Sequence, residues 1–244
     1  MNAELMGFKI DLYSFDEGIK RAENLINGDK VSQIVTINPE MIEYGLKNED
    51  FSRIIRSAEL VIPDGVGIKI ALKLNGYSSE RLPGIDFAYR LLENAAKNGT
   101  KVAIVGAKEE VINRAAENLK VKINGLNIVY TQNGYFSDDN KIYNELKEKS
   151  PQIVLVAMGS PRQEEFIYKA KEVLQHCLMI GIGGSLDVWS GTVKRAPVFF
   201  RKIGLEWLYR TVTQPERIKR IFPALPLFLI KSVLYGRNGN AVRK

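Results

Sequence analysis

Six short runs of β-branched and other apolar residues recur along residues 1–194, and stretches of helical periodicity separate them. The runs are Gln33–Ile37, Leu60–Ile62, Lys101–Val105, Leu126–Tyr130, Ile153–Met158 and Leu178–Ile182. The helical patterns fall at about Phe15–Asn27, Pro39–Leu46, Val66–Leu74, Phe87–Asn98, Glu109–Val121, Asp139–Lys149 and Pro161–Leu174. Strands alternating with helices predict an α/β fold, a Rossmann-like and mostly parallel sheet with helices on both faces. In such sheets ligands bind beyond the C-terminal strand ends. Three helix starts carry capping chemistry: Ser14-x-x-Glu17 and Ser160-x-x-Gln163 fit a capping box, and Asp86 is a candidate N-cap.

The pattern changes after Gly191. No further buried strand is predicted, while Ala196–Arg210 and Pro215–Ile221 read as helical and Leu225–Tyr235 as an apolar stretch interrupted by Lys231. Residues 1–194 are therefore expected to form the main domain and 195–244 a helical appendage. Charge divides the chain at the same place. Residues 195–244 hold 11 of the 35 Lys and Arg but only 2 of the 28 Asp and Glu, a local net charge of +9 against −2 for the rest. Such a tail should attract something anionic. The most apolar run, Ile221–Ile230, contains Pro223 and Pro226 and is about half the ~20 residues a spanning helix requires. A soluble or surface-lying protein is expected. The single Cys177 rules out an internal disulfide framework and suits a reducing cytoplasm, and Met1–Ile10 lacks the basic start and apolar core of a signal peptide.

Four polar clusters stand where strands should end, and each has two readings. In Thr36-Ile37-Asn38-Pro39-Glu40 the hydroxyl and amide could bond a sugar, or Asn38 could simply N-cap a helix that Pro39 begins. In Pro63-Asp64-Gly65-Val66-Gly67, Asp64 could take a proton as general base, or serve as another N-cap. In Gly159-Ser160-Pro161-Arg162-Gln163-Glu164 an anion could meet a helix N-terminus and Arg162, or the segment could be a capping box with a solvated arginine. Gly181-Ile182-Gly183-Gly184-Ser185-Leu186-Asp187 suits a backbone cradle for phosphate, although its spacing is not that of a dinucleotide fingerprint. After another strand, Tyr135 could stack on a base or pack as an ordinary aromatic.

Several chemistries are missing. No P-loop lysine motif and no GxSxG elbow occurs, and His176, the only histidine, cannot assemble a zinc site with Cys177 alone. No Asp-x-Asp pair is present to hold a divalent metal against a diphosphate. Neither a metal nor a cofactor is expected. A nucleotide diphosphate would have to be met by Arg, Lys and backbone N–H groups.

Taken in order, Thr-x-Asn-Pro-Glu, Pro-Asp-Gly-Val-Gly, Arg-Leu-Pro-Gly-x-Asp, Gly-Ser-Pro-Arg-Gln-Glu, Gly-x-Gly-Gly-Ser-x-Asp, Ala-Pro and Gly-x-Glu-Trp resemble the WecG/TagA/CpsF glycosyltransferases, glycosyltransferase family 26. The resemblance spans about Val31 to Arg220. Beyond Pro223 it is one of basic and apolar character only. It implies a GT-E type fold and a metal-independent, inverting transfer from a UDP-N-acetylhexosamine donor to a polyprenyl-diphosphate-linked GlcNAc acceptor. One branch moves N-acetylmannosamine for wall teichoic acid, another N-acetylmannosaminuronic acid. Carried over by motif, Asp64 resembles the catalytic base, with Thr36 and Asn38 beside it and Arg81 and Gln163 as further site residues. Tyr135 and Asp187 would face the uracil, while Arg210, Arg217 and Arg220 would reach the diphosphate from the appendage. The basic, amphipathic tail suits an enzyme on the inner face of an anionic membrane, where a lipid acceptor would be met. Basic residues interleaved with Leu, Phe and Ile speak against nucleic acid as the partner, and self-association is left open. A nucleotide-sugar-binding membrane protein without turnover is the non-enzymatic alternative.

Overall fold

The computed structural model describes residues 1–202, Glu206, Tyr209 and 224–242. The chain order is β1 (Asn2–Leu5), β2 (Phe8–Asp11), α1 (Phe15–Ile26), β3 (Val31–Ile37), α2 (Pro39–Gly45), α3 (Glu49–Arg56), β4 (Leu60–Pro63), α4 (Gly65–Leu74) and α5 (Gly84–Lys97). It continues with β5 (Lys101–Gly106), α6 (Glu109–Lys122), β6 (Asn127–Gln132), α7 (Asp139–Lys149), β7 (Ile153–Ala157), α8 (Arg162–Val173), β8 (Cys177–Gly181), α9 (Ser185–Trp189), α10 (Val198–Lys202) and, beyond a gap in the described residues, α11 (Ala224–Val242).

All six predicted strands form, and they pair in parallel as one sheet in the order β4-β3-β8-β7-β5-β6. Their alternation sorts side chains to two faces. Ile34, Leu60, Ile62, Val102, Ile104, Ile153, Leu155, Leu178 and Ile180 face a core shared with α1, α5, α6 and α9. On the other face, Val35, Ile37 and Val61 pack with α2, α3, α4 and α11. Val31, Ala103, Val105, Val154, Val156 and Met179 pack there with α7 and α8. Helices thus cover both faces, as a parallel sheet requires.

The β1–β2 hairpin lay outside the predicted elements. Met6 (φ 53°) and Gly7 (φ 82°) are both left-handed, which is the geometry of a two-residue turn matched to strand twist. Asp11 at its end accepts a hydrogen bond from Val61 N–H (2.9 Å), so the hairpin seals the β4 edge.

Capping agrees in part. Ser14 and Glu17 form the expected capping box. Asp86 does not cap: Pro83 holds that position for α5, and the Asp86 carboxylate is engaged by both Arg195 Nη atoms at 2.6 Å. The Ser160 capping box is likewise absent. Ser160–Pro161 is cis, α8 starts at Arg162, and Gln163 turns its amide away from Ser160. In the tail, α10 occupies Val198–Lys202 of the predicted Ala196–Arg210 helix, while the predicted Pro215–Ile221 helix lies outside the described residues.

Candidate active site

The crevice lies where the sheet order brings β3 against β8 although about 140 residues of chain separate them, and the C-terminal ends of β3, β4, β7 and β8 surround it. Sheets of this kind place ligands at such a reversal of strand order. A cavity of about 410 Å³ opens there, within the size range of small-molecule sites. Its walls include Thr36, Asn38, Asp64, Arg81 and Gln163, so five of the predicted site residues meet in one space.

Each arrives there for a local reason. Thr36 is the last half-buried residue of β3, and its hydroxyl donates to the Gly181 carbonyl of neighbouring β8 (3.3 Å). Gly84 must lack a side chain beside it, because a Cβ there would sit 2.9 Å from Thr36 Cγ2. Asn38 caps α2 through Oδ1, which accepts from Met41 N–H (3.0 Å), leaving its NH2 to offer a ligand. The capping reading of Asn38 therefore holds, and the residue also lines the cavity.

Asp64 is fixed by the sheet. Its N–H donates to the Ile37 carbonyl (2.9 Å), extending the β3–β4 ladder by one step. It occupies the N-cap position of α4 yet makes no side-chain capping bond. The following Gly65 adopts φ +80°, a left-handed conformation costly for other residues. Leu82 N–H bonds to the Pro63 carbonyl (3.0 Å) and so brings Arg81 to the same strand end.

The fourth cluster lines the cavity, with two of its backbone donors already used. Gly183 N–H donates to Gln163 Oε1 (3.1 Å) and Ser185 N–H to the Ile182 carbonyl (3.1 Å), so neither is offered to a ligand. Gln163 Nε2 in turn donates to Glu164 Oε1 (2.7 Å). Burial pushes the Glu164 carboxyl up to about 7, although Gln163 donates to it.

Glu206 also lines the cavity, a residue to which the sequence reading gave no role although the Gly-x-Glu-Trp motif contains it. Its carboxylate accepts from Arg81 Nη2 (2.7 Å), and Arg195 Nε lies 3.8 Å from its other oxygen. Burial works against the charge on Arg195, but Asp86, Glu206 and Asp64 outweigh it and raise the guanidinium pKa. Asp64 is therefore within electrostatic reach of a fixed cation. Among the described residues the charged lining is Glu40, Asp64, Arg81 and Glu206, a net negative set.

The remaining predicted residues lie elsewhere. Tyr135 follows β6 at the opposite sheet edge, is 74 % exposed, and is not part of the cavity wall. Asp187 lies in α9, with a carboxylate oxygen 3.4 Å from where a Cβ on cavity-lining Gly184 would be. Arg162, suggested as an anion contact, stacks on the Phe136 ring at 5.1 Å and donates to the Phe136 carbonyl (3.2 Å). Arg210, Arg217 and Arg220 fall outside the described residues. Cys177 is buried at the far end of β8 with its thiol pushed up to about 12, which makes it chemically quiet. Among the described residues no group of three or more His, Cys, Asp or Glu comes together as a metal site would need, and no helix is long and apolar enough to cross a membrane.

The family model for the glycosyl transferase WecG/TagA/CpsF family matches residues 3–241. The N-acetylglucosaminyldiphosphoundecaprenol N-acetyl-beta-D-mannosaminyltransferase of Bacillus spizizenii (strain ATCC 23059 / NRRL B-14472 / W23) is 36% identical over 197 residues, covering 80% of this chain and 77% of the relative. The protein of the same name from Bacillus subtilis (strain 168) is 33% identical over 201 residues, 81% of this chain and 78% of the relative. With a match over nearly its whole length, the chain belongs to the WecG/TagA/CpsF family of glycosyltransferases.

Proposed function

We propose that the chain transfers N-acetylmannosamine from UDP-N-acetylmannosamine to GlcNAc-diphospho-undecaprenol, in one inverting displacement without a metal ion. The observation that carries this reading is Asp64: a carboxylate at a strand end, not spent on capping, in one cavity with Thr36, Asn38, Arg81 and Gln163. The names of the two relatives supply the sugar and the acceptor.

In this mechanism an acceptor hydroxyl attacks the anomeric carbon from the face opposite UDP. The bond to the diphosphate oxygen breaks, UDP leaves with the electron pair, and Asp64 takes the hydroxyl proton. The charge that develops on the leaving diphosphate needs cations. Arg81 is one, but the described lining is net negative, which supports a contribution from Arg210, Arg217 and Arg220. Residues 1–194 then act as the catalytic body. Residues 195–244 complete the site and hold the enzyme peripherally on the inner membrane face. Exposed Leu227, Ile230 and Leu234 on α11, with Phe199 on α10, suit insertion at that interface.

The test is a panel of UDP-sugars with a short-chain GlcNAc-diphospho-lipid, read by product mass. Product from UDP-N-acetylmannosamine is expected, also in EDTA. Product from the mannosaminuronate donor instead would reassign the sugar, and loss of activity on chelation with recovery in Mg²⁺ would overturn metal independence. Asp64→Asn should lower kcat by ~10²–10⁴-fold with near-normal UDP affinity. Wild-type turnover in that variant would remove Asp64 as the base.

A further inference from the structure

Glu164 stands one residue beyond Gln163 in the first turn of α8, is 2 % exposed, and does not line the cavity. A buried carboxyl costs stability unless it is hydrogen-bonded, so what it bonds to matters. What depends on it is the orientation of Gln163. Glu164 Oε1 accepts from Gln163 Nε2 (2.7 Å), and Gln163 Oε1 accepts from Gly183 N–H (3.1 Å). A flipped Gln163 amide would set oxygen against oxygen at one end and N–H against N–H at the other. The carboxyl therefore fixes which way the amide points, and the amide fixes the Gly183 turn.

The surrounding chain is shaped for this arrangement. A Cβ on Gly181 would lie 2.6 Å from Gln163 Nε2 and 3.1 Å from Glu164 Oε1, so the bare Cα is the seat of the pair. The Gly181 carbonyl also receives the Thr36 hydroxyl (3.3 Å), linking the same point to β3. From the core side, Gln33 of β3 donates to the Glu164 carbonyl (3.5 Å). Glu164 Oε2 and Gln33 Oε1 are buried and accept no hydrogen bond. A carboxyl with one unserved oxygen is better neutral, and burial does raise this group to about 7.

We infer that Glu164 is a positioning residue: through Gln163 it holds the Gly181–Gly184 turn in the shape that receives the nucleotide-sugar donor. The inference rests on the proposed function for the identity of that donor. The relay itself is independent of it.

Two readouts test this. In the first, UDP affinity and donor KM and kcat are measured in Glu164→Ala and Glu164→Gln, at a temperature where melting curves show both folded. Ala removes the acceptor and should weaken UDP binding about tenfold, with donor KM rising more than kcat falls; that corresponds to ~1.4 kcal/mol. Gln keeps a carbonyl oxygen for Gln163 Nε2 and carries no charge, so it should restore affinity to within about twofold of wild type. Gly181→Ala should reproduce the Ala defect from the opposite side of the contact. The second readout is the Gly183 amide in NMR hydrogen exchange without ligand. Its protection should drop in Glu164→Ala and return in Glu164→Gln. Unchanged protection in a folded Glu164→Ala overturns the relay, as does a Gln variant as impaired as Ala. Wild-type protein that fails to bind UDP, with Gly183 protection responding as expected, would instead overturn the donor assignment.

Discussion

Asn38 shows how one side chain serves fold and site together. Its Oδ1 caps α2 while the residue lines the cavity, so two substitutions separate the duties. Asn38→Asp keeps the cap and loses the donor, and should melt like wild type while binding the UDP-sugar more weakly. Asn38→Ala loses both, and should also lower stability by ~0.5–2 kcal/mol in a denaturant titration. Equal sugar affinity in wild type and Asn38→Asp would confine Asn38 to capping. The chemistry of such residues was legible because Thr, Asn and Asp at strand tips follow from strand boundaries alone. Asp86 was not, because its partner Arg195 lies 109 positions away and no local spacing announces it. Nor was Glu206, whose place beside Arg81 depends on how the tail returns to the body.

The strands were legible because β3, β5, β7 and β8 are buried on nearly every residue, leaving long apolar runs. The elements missed are short. β1 and β2 have four residues each and turn at Met6-Gly7, where methionine gives no turn signal. The α9 helix has five residues, too few for a period to emerge, whereas α3 was missed although Phe51, Ile54 and Ile55 repeat on one face behind the Asn48 cap. The seat of α11 was also hidden. Gly67 permits it, since a Cβ there would lie 2.7 Å from both Leu225 Cδ1 and Pro39 Cγ, and Phe228 fills the core beside Ile68, Ala71 and Leu72. Phe228→Ala should cost ~3–5 kcal/mol of local attachment. Hydrogen exchange should then show α11 losing protection while β7 and β8 keep theirs. Uniform loss throughout the sheet would instead mean that α11 and the body unfold as one unit.

Across the molecule, body and tail are joined by charge as well as by apolar contact. Arg195 grips Asp86, Glu206 meets Arg81, and Lys231 Nζ lies 2.6 and 2.9 Å from the Glu43 carboxylate. Deleting 195–244 removes one member of every pair and the Phe228 plug, but keeps all six strands of the sheet and helices α1 to α9. The truncated body should fold by circular dichroism, yet lose both anionic-liposome binding and turnover. A truncated protein active on a lipid-linked acceptor would refute the role given to the tail, and full activity in Arg217→Ala/Arg220→Ala would refute their part in the site. The strand order has a kinetic consequence as well. The β3–β4 and β5–β7 pairs can form from nearby segments, but β3 waits for β8, so closing the crevice bears the largest loop-closure entropy in the sheet. On the ribosome, β3 must remain half-paired until β8, the last strand among the described residues, emerges, and the crevice is the final part of the sheet to exist.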